Sequence, residues 1–270
     1  MTTYGEVIEV QRLTPRLVRV VLGGEGLDAY VPTTFTDQYV NALFVPDGAP
    51  YAVPFDVDEA RTLPVGQRPV GRRYTIRWWD DATRTLAIDF VVHGDVGHAG
   101  RWAQHARPGD RLQFVGPTGG YAPDPDADGH LMVGDESAIP AIGAALERVP
   151  AGRPVEVVLV VDDADSHLDL ASPGDVRITW VHRDEALDSD VDAHPLVRAV
   201  EALELPQRRV HVFVHGEAAE VRAVRRHLLG DRGIPREGAS ISPYWRRNHT
   251  DEQWREVKAE WLRASEADVP

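Results

Sequence analysis

The feature that most constrains the fold of this chain is a change of sequence pattern near residue 120. Before it, six short segments rich in β-branched and aromatic residues are separated by Gly, Pro and Asp clusters, which favours an antiparallel barrel or sandwich. After it, apolar strand-like runs alternate with helical segments, which indicates a parallel sheet with right-handed crossovers. We therefore predict two domains: an N-terminal antiparallel β-barrel and a C-terminal α/β domain with a parallel sheet.

The predicted elements follow from these patterns. In the first domain we expect strands at residues 6–10, 17–22, 40–45, 74–79, 85–92 and 111–115, with one short helix at 100–107. In the second we expect strands at 131–133, 155–161, 177–182 and 210–214, and helices at 138–149, 195–203 and 218–229. A final helix opens with Thr250 and Gln253, a capping-box pair, and its apolar stripe is expected to dock on the protein's own body. The predicted boundaries are 1–122 for the first domain, 123–129 for a Pro- and Asp-rich linker, and 130–270 for the second domain.

Charge and composition exclude several functions. The 270 residues carry a formal net charge of −14, which argues against a general nucleic-acid binder. The chain has no cysteine, so disulfides, thiolate nucleophiles and Cys-ligated metal clusters are excluded. The N-terminus has no signal-peptide pattern, and no apolar run approaches the ~20 residues that a membrane span requires. We expect a soluble cytoplasmic protein that is monomeric, with no membrane insertion and no resident metal.

The first segment with chemical potential lies in a predicted barrel strand. Arg72 and Tyr74 share one face of that strand, and Thr75 faces the other way unless the backbone bends. An exposed edge with a cross-strand aromatic pair is one interpretation. The other is a binding site in which the arginine contacts a phosphate, the tyrosine ring stacks and the threonine hydroxyl meets a polar ring edge.

A glycine-rich turn follows the next strand. Gly94, Gly97 and Gly100 lie between His93 and Trp102, where a strand ends and a short helix begins. Small residues at such a junction let a diphosphate approach the free N–H groups of the helix. The turn has neither the Gly-Lys-Ser/Thr of a Walker loop nor the GxGxxG spacing.

Taken together, these motifs resemble the siderophore-interacting protein family, the FAD-dependent ferric-siderophore reductases of the ferredoxin-reductase-like superfamily. The resemblance is carried by Arg72-x-Tyr74-Thr75, by HGxxGxAxxW from His93, and by GPTGGY from Gly116. It continues with GDESAIPA from Gly134, WVHR from Trp180, HGE from His215 and YWR from Tyr244. The similarity spans residues 4–262.

The resemblance implies FAD bound between the two domains and NADPH or NADH as reductant. By carry-over, Arg72 neutralises the pyrophosphate, Tyr74 packs on the isoalloxazine and Thr75 hydrogen-bonds near its reactive edge. The residues expected to line the flavin or hold its diphosphate are His93, Gly94, Gly97, Ala99, Gly100 and Trp102. Thr118 and Tyr121 are weaker candidates for the adenine side.

In the second domain, the resemblance implies a nicotinamide-nucleotide pocket shaped by Asp135, Glu136, Ser137 and Glu217. Tyr244 or Trp245 is expected to cover the flavin face that the nicotinamide must reach. The flavin would accept a hydride and release single electrons to Fe(III), so we predict no catalytic side chain.

The substrate expected from the resemblance is a ferric siderophore. Asn41 occupies a position where a lysine is expected, which favours a hydroxamate or citrate chelate over a highly charged triscatecholate. Arg246, Arg247 and Lys258 are candidate contacts for the chelate, with a solvated tail as the alternative.

Other signals give alternatives or are excluded. Asp124-x-Asp126-x-Asp128-Gly129 lacks the later ligands of an EF-hand loop, and His211 and His215 lie too far apart along a strand to share a metal. The arginines 222, 225 and 226 are expected to form a solvated helix face or, alternatively, to bind the 2′-phosphate of NADPH. Two further functions stay open: a general NAD(P)H-dependent flavoreductase, and a non-catalytic siderophore-binding protein on the same fold.

Overall fold

A computed structural model describes residues 3–94, 97–183, 194–205 and 209–269. The chain divides into two compact units, Met1–Gly120 and Tyr121–Pro270. No helix in the described part of the chain is both long enough and apolar enough to cross a membrane.

The first unit is a closed barrel of six antiparallel strands, which confirms the predicted fold class for this half. The strands are β1 (Thr3–Thr14), β2 (Leu17–Gly23), β3 (Tyr39–Phe44), β4 (Val70–Asp80), β5 (Thr85–Val91) and β6 (Arg111–Thr118). Around the barrel they run in the order β1-β2-β5-β4-β3-β6, and β6 pairs with β1 to close it. Two short helices, α1 (Val57–Arg61) and α2 (Ala99–His105), accompany the strands.

The barrel closes around a core of alternating inward side chains. Val20, Val40, Ile88, Phe90 and Phe114 are all buried within it. Strands β2 and β5 are buried along almost their whole length, in agreement with the short runs of β-branched and aromatic residues that predicted the barrel. Closure also removes the unpaired strand edges that an open sheet would present.

The second unit is a five-stranded parallel sheet with helices, as predicted. Its strands are β7 (Gly129–Asp135), β8 (Pro154–Val161), β9 (Asp175–His182), β10 (Val210–Glu217) and β11 (Ala239–Trp245), in the order β11-β10-β7-β8-β9. The helices are α3 (Ile139–Leu146), α4 (Pro195–Glu201), α5 (Ala218–Arg225) and α6 (Asp251–Ala267). The chain moves outward from β7 to β9 and then returns to the other side of β7 with β10. The strand order therefore reverses between β7 and β10, which is a topological switch point.

Helix α1 (Val57–Arg61) was not predicted, and differences also occur at β11, α3 and α5. Strand β11 was not predicted, because Ala239–Trp245 contains Pro243 and two serines, which are uncommon in central strands; as an edge strand it tolerates the proline. Helix α3 ends at Leu146 rather than at 149, where the approach to Pro150 disfavours further α-helix. After α5 the chain continues as a π-helix over Arg226–Asp231.

The predicted C-terminal helix has the expected start and packing. The Thr250 hydroxyl accepts a hydrogen bond from the Gln253 backbone N–H, and the Gln253 side chain accepts one from the Thr250 N–H. Trp254 is buried, and its ring meets Trp261 with centroids 5.7 Å apart. The arginines of α5 pack against this helix, so the predicted solvated face is wrong for two of them. Arg225 is buried and donates to the Ser265 carbonyl, and Arg222 pairs with Asp268.

The segment 123–129, predicted as a linker, contacts the second unit. The Asp124 N–H donates to His211 Nδ1 at 3.2 Å, and its carboxylate pairs with Arg209. Arg209 also donates its backbone N–H to Asp128, and Ala127 is fully buried. These carboxylates therefore hold a neighbouring arginine. No group of three or more candidate metal-ligating side chains occurs among the described residues.

Candidate functional site

An aromatic cluster lies beside β4 in the first unit. The Tyr74 ring packs on Phe90 with centroids 4.4 Å apart, and Phe90 lies 5.7 Å from the Trp102 ring. Trp102 in turn meets Phe44 at 5.8 Å. Tyr74 and Trp102 are only half-buried, whereas the two phenylalanines are fully buried. Tyr74 and Trp102, 28 residues apart in sequence, thus form one partly exposed aromatic wall on which a planar ring can pack.

The polar residues predicted with Tyr74 lie in the same part of the barrel. Arg72, partly buried, donates to the Gly71 carbonyl at 3.0 Å. Thr75 is opposite Tyr39 of β3, and Tyr39 is opposite Thr118 of β6 on its other side. Strand pairing therefore places Thr75 and Thr118 on either side of Tyr39.

The glycine-rich turn has the backbone geometry that its sequence predicts. Gly94 and Gly97 adopt φ values of 61° and 74°, and a Cβ added at either would meet no atom within 4 Å. At Gly100 an added Cβ would lie 3.2 Å from the Val91 carbonyl oxygen. His98, at the N-terminus of α2, makes no side-chain capping hydrogen bond. There is therefore free space at Gly94 and Gly97, and the His98 side chain does not cap the first N–H groups of the helix.

These features fit FAD. Free space at two glycines, N–H groups at a helix start and a nearby guanidinium are what a diphosphate requires, and the aromatic wall suits an isoalloxazine. His93 lies at the turn, with its Nδ1 3.3 Å from Arg16 Nη1, and Ala99 is buried at the helix start. Tyr121 instead belongs to the second unit, where its ring stacks on His211 at 4.8 Å; its predicted adenine contact stays a prediction.

In the second unit, Asp135 at the end of β7 is buried and fully hydrogen-bonded. Its Oδ1 accepts from the backbone N–H of Ser137 at 2.8 Å and from the Ser137 hydroxyl. Its Oδ2 accepts from the indole N–H of Trp245 at 2.7 Å. Gly216 adopts φ 148°, and an added Cβ there would lie 2.7 Å from Asp135 Oδ2. Asp135 therefore joins the end of β7 to the end of β11, and Gly216 leaves the room for this contact.

Glu136 is held by an arginine that follows β9. Arg183 donates to Glu136 Oε2 at 2.6 Å and to Asp162 Oδ1 at 3.2 Å. The other carboxylate oxygen of Glu136 accepts from the Asp162 N–H. Burial raises the pKa of Glu136 above its ordinary value, although the positive charge of Arg183 acts in the opposite direction.

Glu217 and Glu220 lie at the start of α5. Glu217 accepts from the N–H groups of Ala219 and Glu220 through Oε2 and from the Arg247 N–H through Oε1, at 2.6, 3.2 and 3.0 Å. Glu220 accepts from the Arg247 guanidinium at 2.9 Å. Burial is the main cause that raises the pKa of Glu220, to about 8, and the negative charges of Asp135 and Glu217 contribute to a smaller extent.

Glu220 is the residue that sequence analysis missed. It lies three residues after Glu217, and an acidic residue in the first turn of a helix is common enough to attract no attention. Burial separates it from that ordinary role, because it is 2% exposed. Only the apolar residues around it, Ala218, Val221 and Val224, indicate in sequence that this turn faces the interior.

The remaining predicted residues lie near the end of β11. The Tyr244 ring contacts His215. Burial, and to a smaller extent the positive charge of Lys258, lowers the pKa of His215 to about 3. Lys258 donates to the Pro243 carbonyl at 2.8 Å, and Arg247 is bound to Glu220 as described. Two of the three basic residues proposed for the chelate thus make hydrogen bonds within the unit; Arg246 is half-buried.

Comparison with known proteins assigns both units to one protein family. Residues 6–121 match the model of the siderophore-interacting FAD-binding domain, and residues 127–248 match that of the siderophore-interacting protein. An uncharacterized protein of Mycobacterium tuberculosis is 42% identical over 269 residues, covering 96% of this chain and 95% of that protein. The ferric vibriobactin reductase ViuB of Vibrio cholerae is 34% identical, with 93% and 96% covered. The NADPH-dependent ferric-chelate reductase of Escherichia coli is 32% identical, with 88% and 91% covered.

Solved structures agree. The siderophore-interacting protein SipS from Aeromonas hydrophila superposes with a TM-score of 0.81 at 29% identity, covering 97% of this chain and 98% of that one. A siderophore utilization protein from T. fusca gives 0.78 at 35% identity, with 93% and 95% covered. A ferredoxin NADP+ reductase from Neisseria gonorrhoeae shares the fold, with a TM-score of 0.61 at 17% identity over 90% of this chain and 99% of that one. The chain thus belongs to the siderophore-interacting protein family, and its first unit is an FAD-binding domain of that family.

Proposed function

We propose that this protein is an FAD-dependent oxidoreductase that passes electrons from NAD(P)H to a ferric siderophore and releases Fe(II). The observation that carries the proposal is the pairing, in one chain, of the FAD-binding domain with a parallel sheet whose strand order reverses between β7 and β10. Relatives named as ferric reductases align along nearly the whole chain, which supports the choice of substrate class.

In the first unit, the described side chains would bind and orient the cofactor. Arg72 and the turn at Gly94 and Gly97 would hold the diphosphate, and Tyr74 with Trp102 would pack on the ring system. Bound FAD supplies the conversion of a two-electron hydride donor into single electrons. The protein's part is therefore binding, orientation and exclusion of water, which agrees with the absence of a predicted catalytic acid or base.

In the second unit, the carboxyl edge of the sheet would bind the nicotinamide nucleotide, since ligands of open parallel sheets lie at that edge near a switch point. Asp135, Glu136 and Glu217 are hydrogen-bonded to protein groups there, so they would shape the edge by holding its backbone and Trp245. The E. coli relative is named as NADPH-dependent, and this chain's own preference is for the experiment to decide.

The overall reaction balances as one NAD(P)H and two ferric chelates giving NAD(P)⁺, one proton and two Fe(II). Reduction weakens oxygen-rich chelation, because Fe(II) carries less charge, and so frees the iron. With Asn41 at the barrel wall in place of a cation, we propose a hydroxamate or citrate chelate as substrate. We place the reaction in the cytoplasm, where NAD(P)H is available, and propose a monomeric enzyme.

An anaerobic spectral titration of the FAD-loaded protein tests the proposal. NADPH or NADH should bleach the flavin absorbance, and a ferric siderophore should restore it. If the flavin is bleached but no ferric chelate restores its absorbance, the result would favour a general NAD(P)H-dependent flavoreductase instead. Failure to bind flavin would contradict both the ferric-siderophore reductase and the general flavoreductase. The remaining alternative would then be a non-catalytic siderophore-binding protein on this fold.

A further inference from the structure

Three carboxylates of the second unit converge on one short segment, residues 245–247, called here the strap. Asp135 accepts the indole N–H of Trp245 at 2.7 Å. Glu217 accepts the backbone N–H of Arg247 at 3.0 Å, and Glu220 accepts its guanidinium at 2.9 Å. Both ends of the strap are therefore fixed by hydrogen bonds to buried acids.

The strap lies at the switch point of the sheet. Asp135 ends β7, and Glu217 ends β10, the two strands between which the order reverses. The strap is thus bonded at the end of β10 through its Arg247 N–H, and its Trp245 side chain reaches the end of β7. Because a dinucleotide in this fold approaches that edge, the strap occupies part of the surface that the nucleotide needs.

Among the three acids, Glu220 has the least favourable surroundings. Its Oε2 has no hydrogen-bond partner among the described residues. Among the described residues, five charged or titratable groups face it. They are Asp135 of β7, Arg183 after β9, Glu217 of β10, Arg247 after β11, and His194 before α4, whose Nε2 is 3.3 Å away. A buried carboxylate needs charged or hydrogen-bonding partners, and the partners of Glu220 Oε1 are the Arg247 guanidinium at 2.9 Å and His194 Nε2 at 3.3 Å.

We propose that Glu220 is a positioning residue that fixes the strap over the carboxyl edge through Arg247 and thereby weakens the binding of a nicotinamide nucleotide at that edge. The inference rests on the proposed function, since it presumes that a nucleotide binds there. A nucleotide that must displace the strap binds with its affinity reduced by the fraction of molecules in which the strap is open.

The first test follows the strap itself and needs no activity. Hydrogen exchange of peptides covering 244–249 is compared in wild type, Glu220→Gln and Glu156→Gln. Glu156 also pairs with an arginine, Arg177, but at the amino end of β8, so it controls for loss of a carboxylate in the same sheet. Glu220→Gln keeps the shape and an acceptor oxygen for Arg247, but the side chain can no longer carry a negative charge.

We expect strap exchange on the order of 5- to 10-fold faster in Glu220→Gln and unchanged in Glu156→Gln. The difference should increase from pH 7 to pH 9, because Glu220 in the wild type becomes charged over that range and holds Arg247 more tightly. Equal exchange in all three proteins, or a pH-independent difference, would overturn the positioning role. Glu220→Asp, which restores the charge, should recover part of the protection.

The second test measures nucleotide affinity without turnover. Calorimetric titration of oxidised, FAD-loaded protein with NADP⁺ and NAD⁺ should give a dissociation constant several-fold lower for Glu220→Gln than for wild type or Glu156→Gln. A higher constant would show that the strap contributes to the nucleotide site rather than covering it, and would overturn the inference. No binding to any protein would count against the proposed function and the nucleotide part of this inference together. The exchange experiment would still decide the positioning role.

Discussion

The pair formed by Arg183 and Glu136 allows a direct stability test, because the same sheet carries an exposed pair for comparison. The Arg183 and Glu136 side chains are 17% and 6% exposed, with nitrogen and oxygen 2.6 Å apart. Arg177 and Glu156 are 77% and 17% exposed, at 2.8 Å. Arg177 belongs to β9 and Arg183 follows it, whereas Glu156 lies on β8 and Glu136 follows β7. Replacing each arginine by methionine keeps most of the aliphatic stem and removes the charge.

The expected magnitudes differ because of burial. Arg183→Met leaves Glu136 buried without its partner, and breaking a buried pair costs about 3–5 kcal/mol. Asp162, the second partner of Arg183, is more exposed, so solvent can hydrate its carboxylate when Arg183 is removed. The loss of this second contact should therefore add little to the loss of stability. Arg177→Met removes a pair whose arginine is in solvent, and about 0–1 kcal/mol should be lost.

Equilibrium urea unfolding followed by circular dichroism and tryptophan fluorescence measures both free energies of unfolding. The deficit of Arg183→Met should depend on pH. Burial already raises the folded-state pKa of Glu136, and loss of Arg183 raises it further. A carboxyl group whose pKa is higher in the folded than in the unfolded protein contributes its full stabilisation at pH values below the unfolded-state pKa. This contribution to the free energy of unfolding is lost as the pH rises through the folded-state pKa. The deficit should therefore be larger at pH 8 than at pH 5. Equal losses in the two variants, or a deficit that does not change with pH, would refute the reasoning.

Three further predictions concern the first unit. Arg72→Met should weaken FAD binding about 10- to 100-fold in a flavin titration, the equivalent of one charge-assisted hydrogen bond, whereas Arg73→Met, at the exposed next residue, should not. Gly97→Ala and Gly48→Ala should each cost about 1–2 kcal/mol in thermal unfolding, because both glycines have φ above 70°, but only Gly97→Ala should also lower flavin affinity. Asn41→Lys should raise turnover on an anionic ferric chelate; rates equal to wild type would remove the argument drawn from Asn41.

Sequence reasoning succeeded where the information is local. The barrel strands follow from short β-branched and aromatic runs separated by Gly, Pro and Asp clusters, and the start of α6 follows from Thr250 and Gln253. It failed at β11, where Pro243 and the serines give no strand signal, although pairing with β10 supplies the stability that composition lacks. Tertiary pairing outweighed propensity there.

The candidate site divides in the same way. In the first unit, the residues of each motif, Arg72 with Tyr74 and the glycines of the turn, lie close together in the sequence. These motifs can therefore be recognised from the sequence alone. In the second unit the decisive contacts are remote: Trp245 is 110 residues from Asp135, and Arg183 is 47 from Glu136. No local pattern records such pairs, and a buried acid like Glu220 is identical in sequence to an exposed one.

These remote contacts change what the acids at the carboxyl edge can do. A net charge of −14 and four acids at or beside the switch point suggest an edge that would repel a diphosphate. The structure removes much of that repulsion, since Asp135 and Glu217 accept protein N–H groups and Arg183 is bound to Glu136. An ionised carboxylate has about four acceptor sites, and Asp135 and Glu217 each already accept three protein hydrogen bonds, so little of their acceptor capacity is left for a ribose hydroxyl. For the nucleotide site proposed at this edge, we therefore expect selectivity to depend on the backbone and the strap that the acids hold, more than on the acids themselves.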